Sequence, residues 1–152
     1  MIHMQNGHFT LELKHNYKAG RERVFQAWTK QELLQQWWGP AGFTTTIDRM
    51  EVVAGGNYRF IMHAPNGSNH IIGGKYIEII PNEKLVFTWK WEHGAMGGEQ
   101  DETQVTIQFF EQGTGTELVM THENFSTKEE AENHNNGWSS SLEGSFKKFL
   151  EQ

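Results

Sequence analysis

The chain contains no cysteine, which excludes disulfides, thiolate metal sites and cysteine nucleophiles together. No apolar run approaches the roughly 18 residues of a membrane span. The opening residues, Met1-Ile2-His3-Met4-Gln5-Asn6, lack the basic-then-apolar order of a secretory signal. There is no lysine or arginine run, and 13 basic against 19 acidic residues leave a net charge of −6, so nucleic acid is not an expected partner. No G-x-S-x-G, P-loop, dinucleotide fingerprint or paired-carboxylate motif occurs. Histidine is plentiful at eight, yet the pairs His3/His8 and His63/His70 have no favoured chelating spacing, so no metal or other cofactor is expected. Internal repeats, low-complexity segments and linkers are also missing. The reading is one cytoplasmic unit over residues 1–152, long enough to close a core without disulfides or metal and not inserted in a membrane.

Aromatics are abundant, with six Trp, ten Phe and three Tyr in 152 residues, which is incompatible with a disordered chain. Phe9 to His15 alternates as a strand. Gly20 to Trp28 suits a short helix, and Thr29 with Glu32 forms a capping box for a second one through Leu33, Leu34 and Trp37, stopped by Gly39-Pro40. From Phe43 to about Glu123 the pattern changes to strands parted by Pro65-Asn66-Gly67-Ser68, Pro81-Asn82-Glu83-Lys84 and Gln112-Gly113-Thr114-Gly115-Thr116. Leu85, Phe87, Trp89 and Trp91 share one face, as do Val105, Ile107 and Phe109; Tyr58, Phe60 and Met62; and Leu118, Met120 and His122. Ser126 with Glu129 caps a last helix, Thr127 to Leu150, whose stripe is Ala131, His134, Trp138, Leu142, Phe146 and Phe149. A helix of that length needs a large apolar surface, and the curved antiparallel sheet is the available one. The expected class is α+β, the sheet wrapped around the C-terminal helix, with two short helices after the first strand.

Four stretches carry a family resemblance. They are Val24 to Thr29 leading into Leu34-Gln35-Gln36-Trp37-Trp38-Gly39-Pro40; Gly55-Gly56-Asn57-Tyr58-Arg59-Phe60; Gly74 to Pro81 with Leu85 to Trp89; and Gly137-Trp138 followed by Leu142. Together they resemble the activator of heat-shock protein 90 ATPase homologues, in the START-like (SRPBCC) superfamily of helix-grip proteins. The resemblance implies that fold across nearly the whole chain. For function it implies less, because such proteins bind, carry, cyclise or hydrolyse different molecules. Where relatives often carry Asp-x-Arg before the paired glycines, this chain has Glu51-Val52-Val53.

The expected function is binding of a small, largely apolar ligand in a cavity between sheet and C-terminal helix. Its walls would be Trp37, Tyr58, Phe60, Met62, Phe87 and Trp89, joined by Ile107, Phe109, Met120, Trp138 and Leu142, with His122 and His134 as the polar anchors. Gly137, Ser141 and Ser145 beside the helix stripe would either let the helix approach the sheet closely or leave room for the ligand. Trp37 and Trp38, as helical neighbours, should diverge by about 100°, so that at most one points straight inward. No catalytic residue is assigned. Two alternatives stand beside this reading. One is a co-chaperone-like activator docking on heat-shock protein 90, motivated by the resemblance alone. The other is a cyclase, dehydratase or hydrolase using His122, His134, Tyr76 or Glu78, the last two expected on one strand face. The glycine-bearing loop His93 to Asp101 is a candidate gate, and the chain is expected as a monomer or weak homodimer.

Overall fold

The computed structural model describes residues 1–92 and 102–151, so the expected gate at His93 to Asp101 lies outside the described residues. Eight antiparallel strands form one sheet in the order β1-β2-β8-β7-β6-β5-β4-β3. They are β1 (Ile2–Gln5), β2 (His8–Tyr17), β3 (Thr44–Met50), β4 (Asn57–His63), β5 (Asn69–Ile80), β6 (Lys84–Trp91), β7 (Thr103–Gln112) and β8 (Gly115–Phe125). β1 and β3 lie at opposite ends of the order and do not pair, so the curved sheet stays open. The expected helix-grip class is the observed one. β1 is an addition to it: Asn6 and Gly7 both take positive φ, at 53° and 79°, making the two-residue hairpin that returns the chain into β2.

Alternation decides the faces. Leu85, Phe87, Trp89 and Trp91 are all buried, as are Val105, Ile107 and Phe109, while Lys90 is exposed. Bulges interrupt the alternation where a side chain must change face. One lies between Tyr76 and Glu78, which pair with Phe87 and Val86 respectively. Tyr76 therefore points into the core, and Glu78 is exposed beside Lys84 at 3.1 Å. The expectation that these two share a face fails at this extra residue. Gly74, two residues earlier, is a glycine of necessity, because a Cβ there would collide with the Thr88 carbonyl.

The short helices α1 (Arg21–Thr29) and α2 (Gln31–Leu34) cover one end of the sheet. The expected capping box does not form: Thr29 Oγ1 donates back to the Phe25 carbonyl at 3.0 Å, and Lys30 occupies the cap position of α2. A hydroxyl at the last turn of one helix satisfies that helix before it can start another. α2 ends at Leu34 in a tighter turn, the Trp37 and Trp38 N–H groups both donating to the Leu34 carbonyl at 3.2 and 3.0 Å, and both rings turn inward, at 1% and 4% exposure. Trp37 donates its indole N–H to the Ala27 carbonyl at 2.9 Å and meets Phe146 at a tilt of 52°, ring centroids 4.3 Å apart.

The C-terminal helix lies across the inner face of the sheet. α3 (Lys128–Ser140) begins one residue later than expected, with Thr127 Oγ1 accepting from the Glu130 N–H at 3.1 Å. It passes through a π-helical turn, Ser141–Ser145, into α4 (Phe146–Leu150). A π turn displaces carbonyls from the regular ladder. The Leu142 carbonyl accepts from the buried Tyr17 hydroxyl at 2.8 Å, and Ser145 Oγ donates to the Trp37 carbonyl at 2.8 Å.

Candidate functional site

Two buried histidines fasten α3 to the sheet. The Trp138 indole donates to His122 Nδ1 at 3.1 Å, which leaves the proton on Nε2. That nitrogen donates to Thr103 Oγ1 at 2.8 Å, and the hydroxyl passes its own proton to the Trp89 carbonyl at 3.2 Å. The Trp91 indole donates to His134 Nε2 at 2.8 Å, so His134 carries its proton on Nδ1 and donates to the Glu130 carbonyl at 2.7 Å. The two histidines are therefore opposite tautomers, both neutral, with ring centroids 5.2 Å apart. Burial, and then the neighbouring His134, drive His122 well below the ordinary histidine range. Burial also lowers His134, against a smaller opposing effect of its bond to the Glu130 carbonyl.

Beside this pair a pocket of about 90 Å³ opens between α3 and the sheet. Trp89 and Trp91 of β6, with Trp138 of α3 and Trp38, give it four indole walls. Phe43, Met62 and His70 close the other side, and Gly39, Pro40, Gly137 and Ser141 complete the lining. Met62 and His70 are direct partners across β4 and β5. A Cβ built on Gly137 meets nothing within 4 Å, so this glycine does not serve close helix–sheet approach; it leaves space at the pocket.

The expected walls divide. Met62, Trp89, His134 and Trp138 line the pocket. Tyr58, Phe60 and Phe87 meet instead around a separate void of only about 10 Å³, on the far side of Trp38. Trp37, Ile107, Phe109, Met120, His122 and Leu142 line neither space; they are packed to 1% exposure or less. The open volume is therefore displaced toward the ends of β4 and β6, because Trp38 fills the middle of the concave face. Trp38, Trp91, Phe43, His70, Gly39 and Pro40 are not among the expected walls. Gly39-Pro40 reads in sequence as a helix stop, and the β5 stretch holding His70 is apolar on both parities, so its facing is not legible.

The polar anchors are already committed. His134 reaches the pocket with both ring nitrogens bonded inside the protein, and His122 sits behind Trp138 with both of its own engaged. Tyr76 is buried with its phenol pushed upward by desolvation, while Glu78 is on the outer face. The four groups considered for acid–base chemistry therefore do not converge on one volume. Among the described residues no group of three histidine, aspartate or glutamate side chains could hold a metal ion. On the outer face a wide groove carries charge, but Arg59 there is already paired with Asp48 at 3.2 Å and Glu92 at 2.8 Å.

The sequence pattern of the family described as "Activator of Hsp90 ATPase homolog 1-like protein" matches residues 18–151. A crystal structure of a protein from Chromobacterium violaceum is similar at 26% identity and a TM-score of 0.84, covering 94% of this chain and 97% of that one. The AHSA1 protein of Silicibacter pomeroyi has 24% identity, a TM-score of 0.82 and coverage of 93% and 97%. A protein of Arthrobacter aurescens has 21% identity, a TM-score of 0.82 and coverage of 99% and 91%. None of the curated proteins matches. No helix among the described residues is long and apolar enough to cross a membrane.

Proposed function

We propose, from the premise that this chain belongs to the family of Activator of Hsp90 ATPase homolog 1-like proteins, that it binds a small, largely apolar ligand in the pocket between α3 and the sheet. The observation carrying this reading is the pocket itself, which persists beside Gly137 in an otherwise close-packed aromatic core. Native interiors leave few voids larger than a water molecule. An apolar space of about 90 Å³ is worth filling, since burial of apolar surface contributes about 25 cal/mol per Å² before ordering costs. It is smaller than the several hundred Å³ of typical ligand sites, so the ligand's buried part is compact and the remainder lies at the mouth. The histidines beside the pocket keep their hydrogen bonds within the protein and so give a ligand no polar anchor.

The test is a titration of isotope-labelled protein with a panel of small aromatic and aliphatic molecules, followed by NMR. Binding at this site shifts the indole N–H signals of Trp91 and Trp138 and the amide of Gly137 together. A panel that moves none of them, or only residues of the outer face, removes the reading. The family's description motivates a second one, surface docking on heat-shock protein 90, which predicts stimulated ATPase activity when this protein is added to the chaperone.

A further inference from the structure

We infer that the group this pocket takes is a quaternary ammonium head, a cation with no N–H to donate; the inference deepens the ligand-binding reading and rests on it. The first ground is what the walls are made of. Among the described residues no leucine, isoleucine or valine lines the pocket, although the core holds many. Four of the six tryptophans line it instead, together with Phe43. Indole is the ring that attracts a cation most strongly. The walls also stand in more than one plane: Trp38 and Trp138 meet at 85°, and Trp89 and Trp91 at 87°. Such walls can present π surface to a round ion from several sides.

The second ground is what the walls withhold. His134 lines the pocket with both ring nitrogens engaged, by the Trp91 indole and the Glu130 carbonyl, so it has no lone pair free to accept from an ammonium. A primary or secondary ammonium would replace little of its hydration here, with Ser141 Oγ and His70 as acceptors, and each N–H left unpaired adds to the cost. A trimethylammonium group presents only methyls and makes no such demand. Among the described residues no lysine or arginine lines the pocket to repel it, and the chain's net charge of −6 favours approach of cations over anions. Size agrees: about 90 Å³ suits a compact head of roughly five heavy atoms better than an alkyl chain, given that a cavity of about 150 Å³ holds benzene.

The decisive comparison is between choline and 3,3-dimethylbutan-1-ol, which replaces the charged nitrogen by carbon at nearly constant shape. Both are titrated into the full chain, read by the indole N–H signals of Trp91 and Trp138. Choline should bind at least tenfold more tightly. Biosynthetic replacement of the tryptophans by 5-fluorotryptophan, which draws density from the ring face at little steric cost, should weaken choline and leave the alcohol unchanged. If the alcohol binds as well as choline or better, the cation inference is overturned and the apolar pocket stands. If neither ligand moves those signals, but a neutral aromatic does, the inference is again overturned alone. Silence from every ligand removes both readings.

Discussion

The Trp91 indole donates to His134 Nε2 at 2.8 Å, a bond that exists only while that nitrogen keeps its lone pair. The bond from Trp138 to His122 Nδ1 has the same requirement. Both histidines have folded-state pKa values below their ordinary 6.5, so the unfolded chain takes up their protons first. Stability is then fully present above the unfolded pKa and is lost as pH falls through it, down to the folded values. His15 is also lowered by burial, with Glu143 opposing, and acts in the same direction. Going from about pH 7.5 to about pH 5.5 should lower stability, by at most about 1.4 kcal/mol for each of His122 and His134. Urea unfolding across that range measures it. A flat profile would contradict the buried neutral pair, and His134→Gln should flatten the slope by at most about one proton.

Gly137 is helical, sits at the pocket, and has empty space where a Cβ would go. Gly137→Ala should stabilise the protein by about 1 kcal/mol, through backbone entropy. The new methyl narrows the pocket, so ligand affinity should fall while the melting temperature rises. Thermal unfolding and titration on the same sample separate the two effects. A destabilised variant would mean that the helix approaches the sheet more closely than 4 Å at this point.

Removing the Tyr17 hydroxyl isolates the π turn. Tyr17→Phe keeps the ring, which meets Phe146 edge-on at 5.0 Å, and deletes the donor to the Leu142 carbonyl. A buried carbonyl left without a partner costs about 1–3 kcal/mol. Denaturant unfolding should show that loss with an unchanged slope. An unchanged midpoint would mean that the turn re-forms regular helical bonds.

Trp37 and Glu78 should respond oppositely to expectations from their chemistry. Trp37→Leu removes a fully buried ring and its bond to the Ala27 carbonyl, and should cost about 3 kcal/mol or more without direct effect on pocket shape. Glu78→Gln alters only an exposed pair with Lys84 and should change stability by no more than about 0.5 kcal/mol. Chemical denaturation of both variants, with one ligand titration each, checks the contrast.

These contrasts show what one sequence carries. Period-two alternation in β6, β7 and β8 is unambiguous because each has one dry face, and the sheet and its enclosed helix follow from it. β1 is short and mostly exposed, so it gives no alternation; only Asn6-Gly7 marks it, as a turn. The faces of Tyr76 and Glu78 were not legible, since a bulge adds a residue without any sequence token of its own. The pocket was hardest. Aromatic side chains fill a core and line a cavity equally well, and Trp37 and Trp38 both turning inward depends on where α2 stops. Gly137 and Ser141 were the useful clues, because small residues on a buried helix face need a reason.

The π turn has a consequence for phase. At 3.6 residues per turn, a stripe repeating every four residues creeps by about 40° at each step. Trp138, Leu142, Phe146 and Leu150 are spaced in this way, and all are buried. A uniform helix would swing Leu150 roughly a third of a revolution away from Trp138. The wider turn at Ser141–Ser145 takes up that rotation and keeps both ends of the helix indexed to the same sheet. Deleting Gly144 from that turn would remove no core side chain. It would leave Trp138 and Phe146 seven residues apart, which a uniform helix spans within about 20° of two whole turns, so regular helix would then hold Phe146 against Trp37 without the wide turn.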